Sequence, residues 1–316
     1  MSILVTGGAG FIGSHVCEAL LNKGANVICI DDFNDYYNPE FKEYNIKFCL
    51  KNKNFRLYKT DITNIKKLKE IFQKNKIEKI VHLAARAGVR ASINDPVLYE
   101  KANVLGTLNM LILAKESKVK NFIFGSSSSV YGNTNVVPFS EDANTDMPVS
   151  PYAATKKAAE LLCYNYSTLY NVPVTCLRLF TVYGPRGRPD MAPYKFTELI
   201  HKGKEVPVFG DGTSKRDYTY IADIVNGILL ALTKKFKFEI INLGNSSPVE
   251  LNRFISLVEK NLGKRAKIKR LPVQPGEVYI TCSGIGKAKK LLGWEPKVRI
   301  EEGMKKFAEW YKRERA

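Results

Sequence analysis

The stretch TGGAGFIGSH (6–15) decides the fold that this sequence predicts. It follows the apolar run ILVT (3–6) and opens a helical pattern that extends to residue 24. Glycines spaced as GxxGxxG permit a tight turn, and they let backbone N–H groups approach a pyrophosphate at the positive end of the helix. A strand, such a turn and a helix in this order are typical of dinucleotide-binding proteins.

An acidic residue follows the second predicted strand, NVICI (26–30). Asp31 stands 18 residues after Gly13. A carboxylate at this place accepts hydrogen bonds from a ribose diol and repels a 2′-phosphate. The sequence therefore predicts NAD, rather than NADP, as the cofactor.

Strand-like and helix-like segments alternate through the first 180 residues. The apolar segments lie at 3–6, 26–30, 55–59, 79–84, 121–125 and 172–180, and the helical ones at 11–24, 65–75, 103–117 and 153–170. Because the strands are apolar runs without alternation, we expect them to be buried on both faces. The predicted fold class is α/β, with a doubly wound parallel sheet of the Rossmann type.

The character of the sequence changes after residue 180. Glycine, proline and arginine cluster in YGPRGRPDMAP (183–193), and shorter elements follow. We expect a smaller C-terminal α/β lobe that binds the substrate. The predicted domains are a NAD-binding domain over 1–180 plus about 213–245, and a substrate lobe over 181–212 and 246–316.

The composition is that of an ordinary globular chain, with 316 residues, 45% apolar residues and a formal net charge of +18. A polyanion partner is one interpretation of that charge. The lysines are spread along amphipathic segments without a basic tail, so we favour a solvated surface and expect no nucleic-acid partner. The six cysteines and three histidines are scattered, which predicts buried free thiols and no metal site.

No apolar stretch approaches the ~20 residues of a membrane span. The N-terminal run SILVT (2–6) is too short for a signal-peptide core. We therefore expect a cytoplasmic protein that does not bind a membrane.

A tyrosine and a lysine stand four positions apart in SPYAATKKAAE (150–160). On a helix, this spacing places Tyr152 and Lys156 on one face. A phenol is a poor base at neutral pH, but a nearby ammonium and an oxidised nicotinamide would stabilise the phenolate. Lowering its pKa by ~3 units takes about 4 kcal/mol, a plausible sum for two close cations.

Motifs in this order resemble the extended short-chain dehydrogenase/reductase family of NAD-dependent nucleotide-sugar enzymes. They are TGGAGFIGSH, DIT (61–63), HLAA (82–85), SSSSVYG (126–132), YxxxK and RDYTYIADIV (216–225), and they span essentially the whole chain. The resemblance implies a UDP- or dTDP-sugar substrate, tightly held NAD, a catalytic Tyr152 and Lys156, and Ser127 as their hydroxyl partner. The implied NAD-binding residues are Gly7, Gly10, Phe11, Ile12, Gly13, Asp31, Asp32, Asn34, Asp61, Ile62, Leu83, Ala84, Ala85, Asn103, Tyr152 and Lys156.

Two serines stand where some relatives carry acids. The resemblance implies that Tyr152 takes the O4 proton of the sugar while the C4 hydride passes to NAD. Dehydratases of the family carry Asp-Glu after the Ser/Thr, and UDP-glucuronate decarboxylases carry a Glu two residues before the VYG tyrosine. Here these positions are Ser128 and Ser129, which cannot act as general acids or bases near neutral pH. Return of the hydride to the opposite face, 4-epimerisation, is the expected reaction.

Four further stretches resemble the UDP-glucuronate 4-epimerases in particular. They are FNDYYNP (33–39), AARAGVRAS (84–92), LFTVYGPRGRPDMA (179–192) and LPVQPGEV (271–278). A uronate carboxylate needs hydrogen-bond donors, and Thr181, Arg188 and the serines are candidates; Arg188 could instead be a surface or diphosphate-binding arginine. The departures from the pattern are Arg186 for Trp, Glu277 for Asp and Ala91 for Tyr.

The remaining nucleotide contacts are expected in the C-terminal part. Arg216 is the candidate for the diphosphate, because a guanidinium can bind two phosphate oxygens at once. Phe209 is expected either against uracil or in the core. The full predicted substrate-binding set is Ser127, Ser128, Ser129, Thr181, Arg188, Val208, Phe209, Arg216, Gln274 and Glu277.

The leading hypothesis is conversion of UDP-glucuronate to UDP-galacturonate. Alternatives are the same reaction on UDP-glucose, UDP-galactose or their N-acetyl forms, and, less favoured, a dehydratase, a decarboxylase or a non-catalytic NAD-sensing regulator. The resemblance also implies a homodimer, in which the helices matching 99–117 and 151–170 pair into a four-helix bundle. The apolar face VLGTLNMLIL (104–113) permits this, and it equally permits packing on the sheet.

Overall fold

The computed structural model describes residues 2–134, 136–273 and 278–315. The strands are β1 (Ser2–Thr6), β2 (Asn26–Asp31), β3 (Phe55–Lys59), β4 (Lys79–His82), β5 (Asn121–Ser127), β6 (Val174–Leu179), β7 (Thr181–Tyr183), β8 (Glu205–Phe209), β9 (Lys215–Tyr220), β10 (Phe238–Leu243), β11 (Pro248–Glu250) and β12 (Lys267–Leu271). The helices are α1 (Phe11–Asn22), α2 (Glu40–Ile46), α3 (Ile65–Lys74), α4 (Val89–Asn94), α5 (Pro96–Glu100), α6 (Gly106–Glu116), α7 (Pro151–Tyr170), α8 (Ala192–His201), α9 (Ile221–Thr233), α10 (Leu251–Leu262), α11 (Gly286–Leu292) and α12 (Ile300–Glu314).

A seven-stranded parallel sheet forms the centre, in the order β10-β6-β5-β4-β1-β2-β3. Leu4 of β1 pairs with Ile28 on one side and with Ile80 on the other. The connections therefore run in opposite directions from β1, and the loops after β1 and β4 diverge. Such a switch in strand order opens a crevice at the carboxyl ends of the strands, and the predicted doubly wound sheet is confirmed.

The first strand is buried on both faces, as its apolar run predicts. Ile3 belongs to a core cluster that also contains Phe307 and Tyr311 of α12. Leu4 belongs to a second cluster on the other face, with Met110 of α6. The C-terminal helix therefore shares a core with the N-terminal strand.

Two predicted elements differ from expectation. The strand β3 is only partly buried along its length, because it is the sheet edge and pairs with β2 alone. The predicted helix at 103–117 begins as a π-helical segment over Lys101–Leu105 and becomes α-helical from Gly106. A Cβ at Gly106 would lie 2.5 Å from Cδ1 of Ile62, so glycine permits close packing there.

The later part of the chain adds two small sheets, β11-β9-β7 and β12-β8. Within the predicted 213–245 segment, β10 joins the large sheet whereas β9 joins the three-stranded one. The helices α8, α10 and α12 contribute Ile200, Phe254 and Phe307 to the core.

All six cysteines are free, and five of them are buried, as predicted. Among the described residues, no helix is long and apolar enough to cross a membrane. In the same residues, no group of three or more His, Cys, Asp or Glu side chains could hold a metal ion.

Alanine at position 13 should disrupt the first turn. Its Cβ would lie 2.0 Å from the carbonyl oxygen of Gly7, so the loop must shift. We expect Gly13→Ala to lower the free energy of unfolding by about 1–3 kcal/mol, measured by chemical denaturation. The matched control is Gly286→Ala, whose Cβ meets no atom within 4 Å; equal losses in the two variants would contradict the explanation.

Candidate active site

A cavity of 490 Å³ lies at the carboxyl ends of the central strands. It runs from the glycine-rich turn after β1 to the serine run after β5. The structure brings most of the predicted site residues together in its lining. These are Gly7, Gly10, Phe11, Ile12, Gly13, Asp31, Asp32, Asn34, Asp61, Ile62, Leu83, Ala84, Ala85, Ser127, Ser128, Ser129, Tyr152, Lys156, Thr181 and Arg188.

The glycine-rich turn is a narrow cradle. A Cβ on Gly7 would lie 2.8 Å from the backbone nitrogen of Ala84, and Gly10 N donates to Gly7 O at 3.1 Å. Side chains at these positions would fill the space between the turn and the segment after β4. The residues present therefore fit an extended dinucleotide whose pyrophosphate meets the N-terminus of α1.

The carboxylate of Asp31 supports this turn. It accepts hydrogen bonds from the backbone nitrogens of Ala9 and Phe33, both at 3.0 Å. Burial raises the pKa of Asp31, while these hydrogen bonds and the nearby Lys42 act in the opposite direction. Asp31 thus closes the end of the cavity where the sequence predicts a ribose.

Lys42 is a lining residue that sequence reasoning missed. Its ammonium donates to Asn34 O at 2.9 Å and lies 4.0 Å from Asp31 Oδ1. The side chain is buried, which is exceptional for a lysine. The sequence carries little signal for it, because the short helix α2 was not predicted and the chain has 49 lysines and arginines.

The predicted catalytic pair, Tyr152 and Lys156, sits at the beginning of α7. Ser150 caps this helix by accepting a hydrogen bond from Ala153 N at 3.2 Å, which orients its first turn. Tyr152 and Lys156 both line the cavity, as their spacing predicts. The Lys156 ammonium donates to Gly125 O at 2.7 Å, which ties the helix to β5.

Burial shifts the pKa values of both groups. It lowers the pKa of Lys156 to about 8 and raises the pKa of Tyr152, while a hydrogen bond with Ser127 and the charge of Arg188 act in the opposite direction. Sequence reasoning assigned the stabilisation of the phenolate to Lys156 and the nicotinamide. The hydrogen bond with Ser127 and the charge of Arg188 add two protein groups that favour the phenolate, while the Lys156 ammonium donates to Gly125 O.

The four serines divide into two groups. Ser127 accepts a hydrogen bond from the backbone nitrogen of Ser129 and donates to its hydroxyl, both at 3.1 Å. Ser127, Ser128 and Ser129 line the cavity beside Tyr152. Ser126 also contributes to the lining, but its hydroxyl donates to Glu160 Oε1 at 2.6 Å, so it joins a structural network.

A buried ion pair lies behind these residues and was not predicted. Glu160 accepts hydrogen bonds from Nε and Nη2 of Arg178, both at 2.9 Å. Their side chains are each 2% exposed. Because Glu160 lies on α7, Arg178 on β6 and Ser126 on β5, the network joins α7, which carries the predicted catalytic pair, to two strands of the sheet.

Arg186, the departure from the family pattern, also has a structural partner. Its Nη1 and Nη2 form an ion pair with Glu18 of α1, at 2.6 and 2.8 Å. Its backbone φ is 65°, so this pair holds a left-handed loop residue. Burial and Arg186 together lower the pKa of the adjacent His15 to about 3.

Some predicted site residues lie outside the cavity lining. Asn103 is buried behind it, where its amide binds Arg86 N and O and donates to Thr155 Oγ1 at 3.0 Å. It therefore positions the segment after β4 against α7. The sequence alone does not show that Asn103 is buried or which groups its amide binds.

Three residues of the predicted nucleotide contacts also lie away from this lining. Val208 is fully buried in the core, the Phe209 ring lies 4.4 Å from the guanidinium of Arg90, and Arg216 donates to Lys215 O at 3.0 Å. Strand β8 alternates, so Val208 faces inward. Gln274 and Glu277 lie outside the described residues.

Known proteins resemble this chain over most of its length. The family model described as GDP-mannose 4,6 dehydratase matches residues 4–307. A UDP-glucuronate 4-epimerase of Thermodesulfobacterium geofontis is 47% identical over 310 residues, which cover 98% of this chain and 95% of the relative. The chain belongs to the extended short-chain dehydrogenase/reductase family of nucleotide-sugar epimerases.

Solved structures of this family superimpose closely. A UDP-glucuronic acid 4-epimerase from Bacillus cereus, in complex with UDP-glucuronic acid and NAD, has a TM-score of 0.94 at 39% identity and covers 99% of each chain. A UDP-glucose 4-epimerase from Thermotoga maritima, with UDP-glucose, has a TM-score of 0.90 at 35% identity, again over 99% of each chain.

Removal of the Glu160 charge should destabilise this member of the family. Glu160→Gln leaves the buried Arg178 without its counter-charge, so we expect a loss of about 3–5 kcal/mol in the free energy of unfolding, measured by chemical denaturation. Glu198→Gln is the control, because its 2.6 Å pair with Lys202 is exposed. A loss no larger than the control's would show that the buried pair does not hold these elements together.

Proposed function

We propose that this protein is an NAD-dependent 4-epimerase that interconverts UDP-glucuronate and UDP-galacturonate. The observation that carries the proposal is the composition of the cavity around Tyr152. Hydroxyls and cations surround the tyrosine, whereas the acidic lining residues are Asp31, Asp32 and Asp61 at the opposite end. Within the part of the chain that the structure describes, an oxidised sugar therefore meets no carboxylate beside Tyr152 that could promote elimination.

The proposal that NAD is the cofactor rests on the narrow glycine-rich turn and on a relative whose structure contains NAD. UDP-glucuronic acid 4-epimerase from Bacillus cereus has been solved with NAD. In this chain, the turn at Gly7–Gly13 would hold the pyrophosphate and Asp31 the ribose diol. When bound, NAD supplies a reversible hydride acceptor for C4 of the sugar.

The catalytic roles follow from the positions of three side chains. Tyr152 would take the O4 proton, and the Ser127 hydroxyl would hold the oxygen and the phenolate in place. Lys156, anchored on Gly125, would provide positive charge beside the tyrosine. Arg188 adds to this charge, since it opposes the rise that burial causes in the pKa of Tyr152.

The selectivity for a uronate rests on donors near the sugar end. Ser128, Ser129, Thr181 and Arg188 line the cavity and would bind the C6 carboxylate by charge-assisted hydrogen bonds. The 4-keto form of this sugar is a β-keto acid, which loses CO₂ easily. Donors that hold the carboxylate near the ring plane keep the breaking bond out of line with the carbonyl π system.

Turnover without added NAD tests the proposed function. We expect the purified protein to convert UDP-glucuronate to its 4-epimer, resolved by NMR, and Tyr152→Phe to lower kcat by about 10²–10⁴-fold. Tyr58→Phe, on the edge strand β3, is the control. Conversion of UDP-glucose or UDP-N-acetylglucosamine in place of UDP-glucuronate would support the alternative substrates, and full activity of the Tyr152 variant would overturn the mechanism.

Loss of a carboxylate donor should divert the intermediate. In Ser128→Ala and Thr181→Ala variants, we expect a UDP-pentose to appear beside the epimer, because the less restrained β-keto acid loses CO₂. Product ratios are measured by NMR, with Thr233→Ala, at the exposed end of α9, as the control. Wild-type ratios in both variants would count against this role.

A homodimer is part of the proposal. Helix α7 exposes Leu161, Tyr164 and Leu169 by 54–60%, and α5 exposes Val97 by 60%. These apolar side chains would be covered by a second copy in a four-helix bundle. A sedimentation mass of 35.6 kDa, that of one chain, would overturn this part.

The remaining predictions from the sequence concern organisation and location. We keep the division into a NAD-binding domain and a sugar-binding lobe, which is supported by the separate small sheets β11-β9-β7 and β12-β8. The cytoplasmic location and the lack of a nucleic-acid partner also stay predictions.

A further inference from the structure

Arg188, the proposed partner of the sugar carboxylate, already holds a carboxylate of its own chain. Its Nε donates to Asp190 Oδ1 at 3.0 Å and its Nη2 to Asp190 Oδ2 at 2.6 Å. This two-point arrangement occupies one edge of the planar guanidinium. Burial works to lower the pKa of Arg188, but the hydrogen bonds and charge of Asp190 outweigh it and raise that pKa.

The surroundings fix the orientation of the pair. Arg188 Nη2 also donates to Ala87 O at 3.2 Å, and its guanidinium lies 5.2 Å from the centre of the Tyr36 ring. The Tyr36 hydroxyl donates to Asp190 Oδ2 at 3.5 Å. The guanidinium is therefore held from two sides before any substrate arrives.

The two members of the pair face different surroundings. Arg188 lines the cavity, whereas Asp190 does not, and their side chains are 19% and 34% exposed. Among the described residues, Nη1 of Arg188 has no hydrogen-bond partner. A guanidinium has five N–H donors and three of them are used by Asp190 and Ala87 O, so the two N–H groups of Nη1 remain available to a second carboxylate while Asp190 keeps its own contacts.

We propose that Asp190 is a positioning and specificity-determining residue, which orients Arg188 toward the sugar and limits its affinity for the sugar's carboxylate. This inference rests on the proposed function. It goes further, because it assigns a role to a carboxylate that does not itself reach the cavity.

The reaction supplies a physical reason for such a limit. The 4-keto sugar must turn over within the site, so that hydride returns to its other face. Its carboxylate must therefore leave one set of donors and be bound again. Without the negative charge of Asp190, Arg188 would hold the carboxylate too tightly for that motion and for release of the product. With Asp190 neutralising part of its charge, Arg188 binds the carboxylate reversibly.

Replacement of Asp190 by asparagine tests the inference. Asp190→Asn removes the charge but keeps a hydrogen-bond acceptor for Nε. With the NAD-loaded protein, we expect UDP-glucuronate to bind about tenfold more tightly, as expected for removal of one nearby negative charge, and kcat to fall. The Kd for UDP-glucose, which has no carboxylate, should stay unchanged.

Three further variants separate the effect of the Asp190 charge from an effect on the fold. Asp190→Glu keeps the charge and should stay closer to the wild type than Asp190→Asn in its affinity ratio for the two ligands. Glu302→Gln removes an exposed carboxylate paired with Lys306 on α12 and should leave both Kd values unchanged. If the Asp190→Asn protein does not fold, Asp190→Ala takes its place, because it removes the same charge.

The outcomes that overturn the inference are distinct from failure of the proposed function. Weaker or unchanged binding of UDP-glucuronate in Asp190→Asn, or an equal change for UDP-glucose, would show that Asp190 only stabilises its loop. If the wild-type protein does not turn over UDP-glucuronate, the proposed function fails. The ratio of the two Kd values still tests whether Asp190 limits the affinity of Arg188.

Discussion

The attachment of helix α7 to strand β5 is the constraint on which the site depends. Two polar contacts make it: the Lys156 ammonium on Gly125 O at 2.7 Å and the Ser126 hydroxyl on Glu160 at 2.6 Å. Lys156 and Glu160 are one helical turn apart, so both contacts fall on the same face of α7. They set the height of Tyr152 over the end of β5, where Ser127 stands. Arg178 completes the arrangement from β6, and it makes movement of the helix costly because two charges would lose their partners inside the core.

The acidic residues of the described lining lie at one end of the cavity. They are Asp31, Asp32 and Asp61, and Lys42 lies beside Asp31 there, whereas Lys156 and Arg188 lie toward the other end. This distribution suits an extended ligand that presents hydroxyl groups at the first end and an anionic sugar at the second. It is a local property, and the net charge of +18 on the whole chain does not describe it.

In the loop after β7, a residue that departs from the family pattern has a structural partner of its own. Arg186 replaces the usual aromatic residue and binds Glu18 on α1, so the loop that carries Arg188 is tied to the helix of the glycine-rich turn. The two ends of the cavity are thereby connected through one ion pair. The pair is partly buried, with side chains 10% and 30% exposed, so solvent screens it less than a surface pair.

The sequence by itself determined the doubly wound sheet, the glycine-rich turn and the pair on α7, because strand ends, glycine spacing and the i, i+4 spacing are local patterns. Predictions of this kind hold when neighbours in the chain are also neighbours in space. Most other lining residues were implied by the resemblance to the family. Only the tertiary structure decided that Glu160 binds Arg178, that Lys42 lies by Asp31, and that Asp190 occupies one edge of Arg188. The first two are contacts between separate elements, and the third depends on a loop whose backbone Arg186 holds at a positive φ. Residue type and spacing do not encode which polar groups are left to pair once the core has formed, and those pairings set the electrostatics of the site.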